Sequence, residues 1–146
     1  LFAISLFIIA LARPQEGYKR TEILSMGVDI MMALDTSGSM QALDFIKNEK
    51  RDTRLAMVKD VVSKFIENRT NDRMGMVIFG SEAYTQCPLT LDQNILQSFL
   101  SKLNIGMAGD STAIGSAVGI AVKRLKDLKS DSKLIILLSK VVPLSA

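Results

Sequence analysis

Apolar residues fall along this chain in two kinds of block. Gly27–Leu34 (GVDIMMAL), Met74–Phe79 (MGMVIF) and Leu134–Leu138 (LIILL) are short and nearly continuous, and Gly, Ser or Asp borders them. Such runs predict strands buried on both faces. Between them, apolar residues recur at helical spacing. Leu55, Val58, Val61, Val62, Phe65 and Ile66 predict a helix that Asp52 or Thr53 can cap. Ile95, Leu96, Phe99, Leu100 and Leu103 predict a second, opened by a capping box at Thr90-Leu91-Asp92-Gln93. Ile114, Val118, Ala121, Val122, Leu125 and Leu128 predict a third, over about 113–128, with a preceding hydroxyl as its cap. A weaker strand is expected at Ala83–Thr85, and residues 35–51 and 104–111 read as loops.

Strands alternating with helices predict an α/β fold, a doubly wound and mainly parallel sheet flanked by helices. Ligands of such sheets gather at the carboxyl ends of the strands, so the residues just after each strand are the candidates for chemistry. Residues 25–139 would form this unit, and residues 13–24, polar and mixed in charge, read as a juxtamembrane linker.

The first twelve residues, LFAISLFIIALA, are apolar apart from Ser5. A spanning helix needs about 20 such residues. Three readings stand: the end of a transmembrane helix, the end of a signal peptide with Ala10-Leu11-Ala12 as its cleavage site, or a buried core segment. The first two put the chain at or across a membrane, on a side the sequence leaves open.

Composition narrows the chemistry. Of 146 residues, 48% are hydrophobic and 23% charged, a globular balance. There is no histidine and one cysteine, Cys87. Histidine-based catalysis, an internal disulfide and a cysteine zinc site are thereby excluded within this chain. A net charge of +3, two Tyr and no Trp give no nucleic-acid surface. Cys87 and the methionines Met31, Met32, Met74 and Met76 read as packing residues. Lys123, Arg124, Lys126, Lys129 and Lys133, interspersed with Asp127 and Asp131, read as a solvated helix end.

The first strand empties into Asp35-Thr36-Ser37-Gly38-Ser39, a carboxylate and two hydroxyls at i, i+2 and i+4. Oxygen-only donors suit hard divalent cations, although Ser and Asp after a strand also cap turns. A second oxygen-rich loop, Gly109-Asp110-Ser111-Thr112, precedes the third helix and can lie beside the first in a doubly wound sheet. Asp110 reads as a cap or an outer contributor to such a site, and Asp44 as solvated.

These residues resemble the metal-ion-dependent adhesion site of von Willebrand factor type A domains. DTSGSM matches the family's Asp-x-Ser-x-Ser loop through Asp35, Ser37 and Ser39, and Thr112 in GDSTAIG matches its second element. DRMGMVIFG and TQCPLTLD are similar to the membrane-anchored bacterial subgroup associated with aerotolerance (Bat) operons. The resemblance implies Mg²⁺ or Mn²⁺ at the site and a protein partner whose carboxylate completes the coordination. It implies binding rather than catalysis. The family's third element, an Asp, falls at Lys140, whose ammonium repels a cation. The family's remaining strands do not follow. Residues 140–146 are therefore expected to be a tail of other origin, leaving a partial domain that exposes a strand edge and self-associates. Two other readings remain: a non-functional fragment with a disabled metal site, and a phosphotransfer enzyme acting through Asp35. The second lacks the companion carboxylate, since its position is Ser37.

Overall fold

The computed structural model describes residues 1–11 and 27–139. The expected linker at 13–24, Ala12 of the cleavage motif, and Lys140 with the rest of the tail lie outside the described residues. Helix α1 (Phe2–Leu11) carries the N-terminal apolar segment. Its Phe2, Ile4, Leu6, Phe7, Ile8 and Leu11 are all exposed, which is not the environment of a core segment.

Strand β1 (Asp29–Asp35) is buried along its whole length. It leads through a 3₁₀ turn (Gly38–Gln41) into a small hairpin, β2 (Phe45–Lys47) and β3 (Lys50–Asp52). Helix α2 (Arg54–Glu67), strands β4 (Arg73–Phe79) and β5 (Ala83–Thr90), helices α3 (Gln93–Ser101) and α4 (Ile114–Lys126), and strand β6 (Lys133–Leu138) follow. The main sheet runs β5-β4-β1-β6. β4 and β6 are both parallel to β1, and β5 is antiparallel to β4. The predicted mainly parallel α/β sheet is thus observed.

Alternation along β1 divides the core in two. Ile30, Met32 and Leu34 join Val62, Ile66, Leu96 and Leu100 of α2 and α3 on one face. Met31 and Ala33 join Ala117, Ala121 and Leu125 of α4 on the other. A strand with layers on both sides must be apolar at every internal position, which is why β1 and β4 read as continuous runs. Because β4 and β6 both run parallel to β1, the carboxyl ends of the three strands lie at one edge of the sheet. At the opposite edge, buried Asp29 receives two hydrogen bonds of 2.6 Å each from the Arg73 guanidinium.

Several local expectations are corrected. Residues 35–51 are not a plain loop, because the hairpin turns through Asn48 and Glu49, both at positive φ. Asp44 is not merely solvated but pairs with Arg54. Strand β5 runs five residues beyond Thr85. The capping box does not form. Asp92 is the cap of α3, accepting from the Asn94 and Ile95 N–H groups, while the Thr90 hydroxyl accepts from Asp92 N–H. At α4 the cap position is Ala113, without a side-chain hydrogen bond, rather than a hydroxyl. At α2 the Thr53 hydroxyl does cap, accepting from Ala56 N–H. Val61, Ile95, Ile114 and Val122, placed on buried faces by spacing, are exposed. Val61, Ile95 and Val122 lie at the borders of their helices' apolar stripes, and Ile114 is the first residue of α4.

Candidate metal centre

Asp35 closes β1 and is fully buried. Its Oδ1 accepts the Ser37 N–H at 2.8 Å and its Oδ2 accepts the Ser139 hydroxyl at 2.6 Å. These contacts fix the carboxylate but supply no positive charge. Among the described residues no Lys or Arg pairs with Asp35, whereas the other buried aspartate of β1, Asp29, has Arg73. Buried charges are normally paired or coordinate a metal.

The loop beyond Asp35 is tied to the end of β4. The Thr36 N–H and hydroxyl both donate to the Phe79 carbonyl, at 2.9 and 3.2 Å. Ser37 is extended and the chain then tightens into the 3₁₀ turn. This bend brings Ser37 Oγ and Ser39 Oγ to 3.0 Å from each other. Magnesium takes octahedral oxygen ligands at about 2.0–2.1 Å, so neighbouring ligands lie about 2.8–3.0 Å apart. The two hydroxyls, hydrogen-bonded to each other, stand at that spacing. With Asp35 they form an all-oxygen donor set fitting a hard divalent cation. Among the described residues no three carboxylate, thiol or imidazole groups gather, so a cation here depends on hydroxyls.

The second loop, 104–112, is fastened against the first. Gly106 N–H donates to the Thr36 carbonyl at 2.7 Å, and Gly38 N–H to the Asp110 carbonyl at 3.4 Å. Gly106 and Gly109 both take positive φ, which glycine adopts without strain. From the end of β4, Gly80 accepts the Ala113 N–H at 2.6 Å, and Ser81 Oγ accepts the Ser111 N–H at 3.1 Å. Thr112 therefore sits between two anchored residues. It is exposed and has no hydrogen-bond partner among the described residues.

Two contributors escaped the sequence reading. Ser139 reaches Asp35 because β6 is in register with β1, Leu34 beside Leu138, so the residues that follow them meet. Its signal was its place directly after an apolar strand. Gly80 has a sharper role. A Cβ there would stand 2.3 Å from the Gly109 carbonyl oxygen and 2.7 Å from that of Ala108. Only glycine lets the two loops close.

A mainly parallel sheet with helices on both faces carries an Asp-x-Ser-x-Ser loop at its carboxyl edge. The family model of the von Willebrand factor type A domain matches residues 30–140, and the chain belongs to that family. It is 32% identical over 137 residues to an uncharacterized protein of Borreliella burgdorferi, covering 94% of this chain and 39% of that protein. Among solved structures it is similar to an aerotolerance-related membrane protein of Bacteroides fragilis, with a TM-score of 0.69 and 32% identity, covering 76% of this chain and 53% of that one. It is also similar to an uncharacterized membrane-spanning protein of Vibrio fischeri, with a TM-score of 0.65 and 40% identity, covering 68% and 50%. The chain thus spans about half or less of the length of these relatives. No helix among its described residues is long and apolar enough to cross a membrane.

Proposed function

We propose that this chain is a protein-interaction module of a bacterial membrane protein, binding a carboxylate of its partner through a divalent cation. Asp35, Ser37, Ser39 and Thr112 would hold the cation, Mg²⁺ or Mn²⁺. The observation carrying this reading is the buried Asp35 carboxylate, without a cationic partner among the described residues, beside two hydroxyls at octahedral spacing.

When bound, the cation supplies a Lewis-acidic centre with positions left for ligands from outside the chain. The chain's own part is to orient donors. Ser139 and the Ser37 N–H hold Asp35, and the Asp110 carbonyl steadies Gly38 between the two serines. A site with one carboxylate and neutral hydroxyls leaves net positive charge on the metal, which favours an anionic ligand from a partner. This is binding chemistry. The site offers no histidine and no second carboxylate in line with Asp35 at Ser37, which argues against the phosphotransfer alternative. The exposed apolar α1 supports attachment to a membrane, as do relatives described as membrane proteins.

The test is a Mn²⁺ titration of the full chain in detergent micelles, read by electron paramagnetic resonance, beside Asp35→Ala. Binding at millimolar or tighter affinity that the substitution abolishes supports the reading. Equal binding by both chains, or none by either when both are folded, refutes it.

A further inference from the structure

The second loop brings a carboxylate, besides its backbone, to the edge of the proposed cation site. Asp110 Oδ1 lies 3.8 Å from where a Cβ on Gly38 would stand, and 3.7 Å from where one on Gly106 would stand. Gly38 is the residue between Ser37 and Ser39. The carboxylate thus faces bare backbone on two sides, one of them the middle of the Asp-x-Ser-x-Ser loop. Asp110 is held there by its own carbonyl, which accepts the Gly38 N–H whatever its side chain does. Its carboxylate has no hydrogen bond and no ion pair among the described residues, Ser37 and Ser39 included.

We propose that Asp110 is a further part of the metal centre, accepting hydrogen bonds from water bound to the cation. This rests on the reading of Asp35, Ser37 and Ser39 as ligands. Ligands sharing an octahedral edge lie about 2.8–3.0 Å apart. The Asp110 carboxylate makes no hydrogen bond with either serine hydroxyl, which themselves stand 3.0 Å apart, so its reach to the cation is through the metal's retained water. Magnesium gives up water reluctantly and keeps several in protein sites. Asp110 then adds negative charge beyond the metal's direct ligands, strengthening the hold on the cation, while the direct ligands, with Asp35 as their one carboxylate, still leave positive charge for a partner's anion. Partners of this kind orient and tune a metal site without touching the ion.

Mn²⁺ affinity is measured for the full chain, Asp110→Asn and Asp35→Asn, with the melting temperature of each in chelator. Asp110→Asn keeps shape and backbone contact and removes the charge. It is expected to weaken Mn²⁺ binding about tenfold, to leave the chelator melting temperature unchanged, and to leave the number of Mn²⁺-bound waters unchanged by proton relaxation. Wild-type affinity in Asp110→Asn, while Asp35→Asn loses binding, overturns this proposal and leaves the metal centre standing. A lowered melting temperature in chelator that accounts for the loss reassigns Asp110 to loop structure, and a gain of one bound water reassigns it to direct coordination; both overturn it. Failure of the unsubstituted chain to bind refutes the metal centre itself, and Asp110's part with it.

Discussion

Ser139 Oγ stands 2.6 Å from Asp35 Oδ2 across 104 residues of chain. The two residues follow the paired ends of neighbouring parallel strands, so the register of β1 with β6 brings them together. The hydroxyl satisfies one oxygen of a fully buried carboxylate. Ser139→Ala leaves that oxygen without its donor and is expected to destabilise the fold by about 1–3 kcal/mol. Urea denaturation checks this, and an unchanged midpoint would mean that water replaces the hydroxyl at no cost.

The other end of β1 governs acid sensitivity. Burial pushes the Asp29 carboxyl up, but Arg73, through its hydrogen bonds and charge, together with the Ser130 hydroxyl and the Lys133 charge, outweighs that and holds it below the usual carboxylate range. A carboxylate with a depressed folded-state pKa contributes stability that is present above its unfolded value, about 3.9, and lost as pH falls through the folded value. Asp29→Asn is therefore expected to lower stability at pH 7 and to flatten its decline between pH 5 and 3. Urea midpoints of both chains across that interval test it. Parallel curves would contradict the assignment.

Gly80 is where fold and site meet most closely. A methyl group there collides with the carbonyl oxygens of Ala108 and Gly109, which belong to backbone and cannot swing aside. Gly80→Ala is expected to cost about 1–3 kcal/mol, in the range of overpacking. Since the 104–112 loop must move, Mn²⁺ affinity should fall as well. Thermal melting with and without Mn²⁺ separates the two effects. A substitution that melts like the parent would show that the loop accommodates the methyl group.

Much of this architecture was legible because the sheet is covered on both faces. Residues such as Met31 and Met32 point into different cores, yet both must be apolar, so β1 and β4 stand out as runs; β6, expected to be buried on both faces, is an apolar run that stays half-exposed at the edge of the sheet among the described residues. The hairpin β2–β3 was not legible. Five of its six strand residues are exposed, so no burial pattern marks it. β5 was seen only at its start because it is an edge strand among the described residues. It bears Pro88, irregular register with β4, and only Cys87 fully buried. Edge strands tolerate proline and polar residues. At the site, Asp35, Ser37 and Ser39 were legible from their spacing in one loop. Ser139 and Gly80 were not, since their roles depend on strand register and on a close approach of backbone.

Among the described residues β6 is the other edge of the sheet, with Leu134 and Leu137 exposed. Uncovered apolar edges promote association between chains, and natural edges carry charge against it. The double substitution Leu134→Lys and Leu137→Lys is expected to shift the full chain toward monomer in detergent at tens of micromolar. Light scattering measures this. An identical mass distribution for both chains would show that β6 takes no part in association.

The central claim is that a cation held by Asp35, Ser37, Ser39 and Thr112 receives a carboxylate from outside. The most direct measurement is pulsed electron paramagnetic resonance of the Mn²⁺-loaded full chain with ¹³C-carboxyl-labelled acetate standing in for a partner's side chain. The account predicts a ¹³C coupling that marks carboxylate bound to the metal, absent in Asp35→Ala. Bound Mn²⁺ that shows only water and protein ligands at saturating acetate would contradict it.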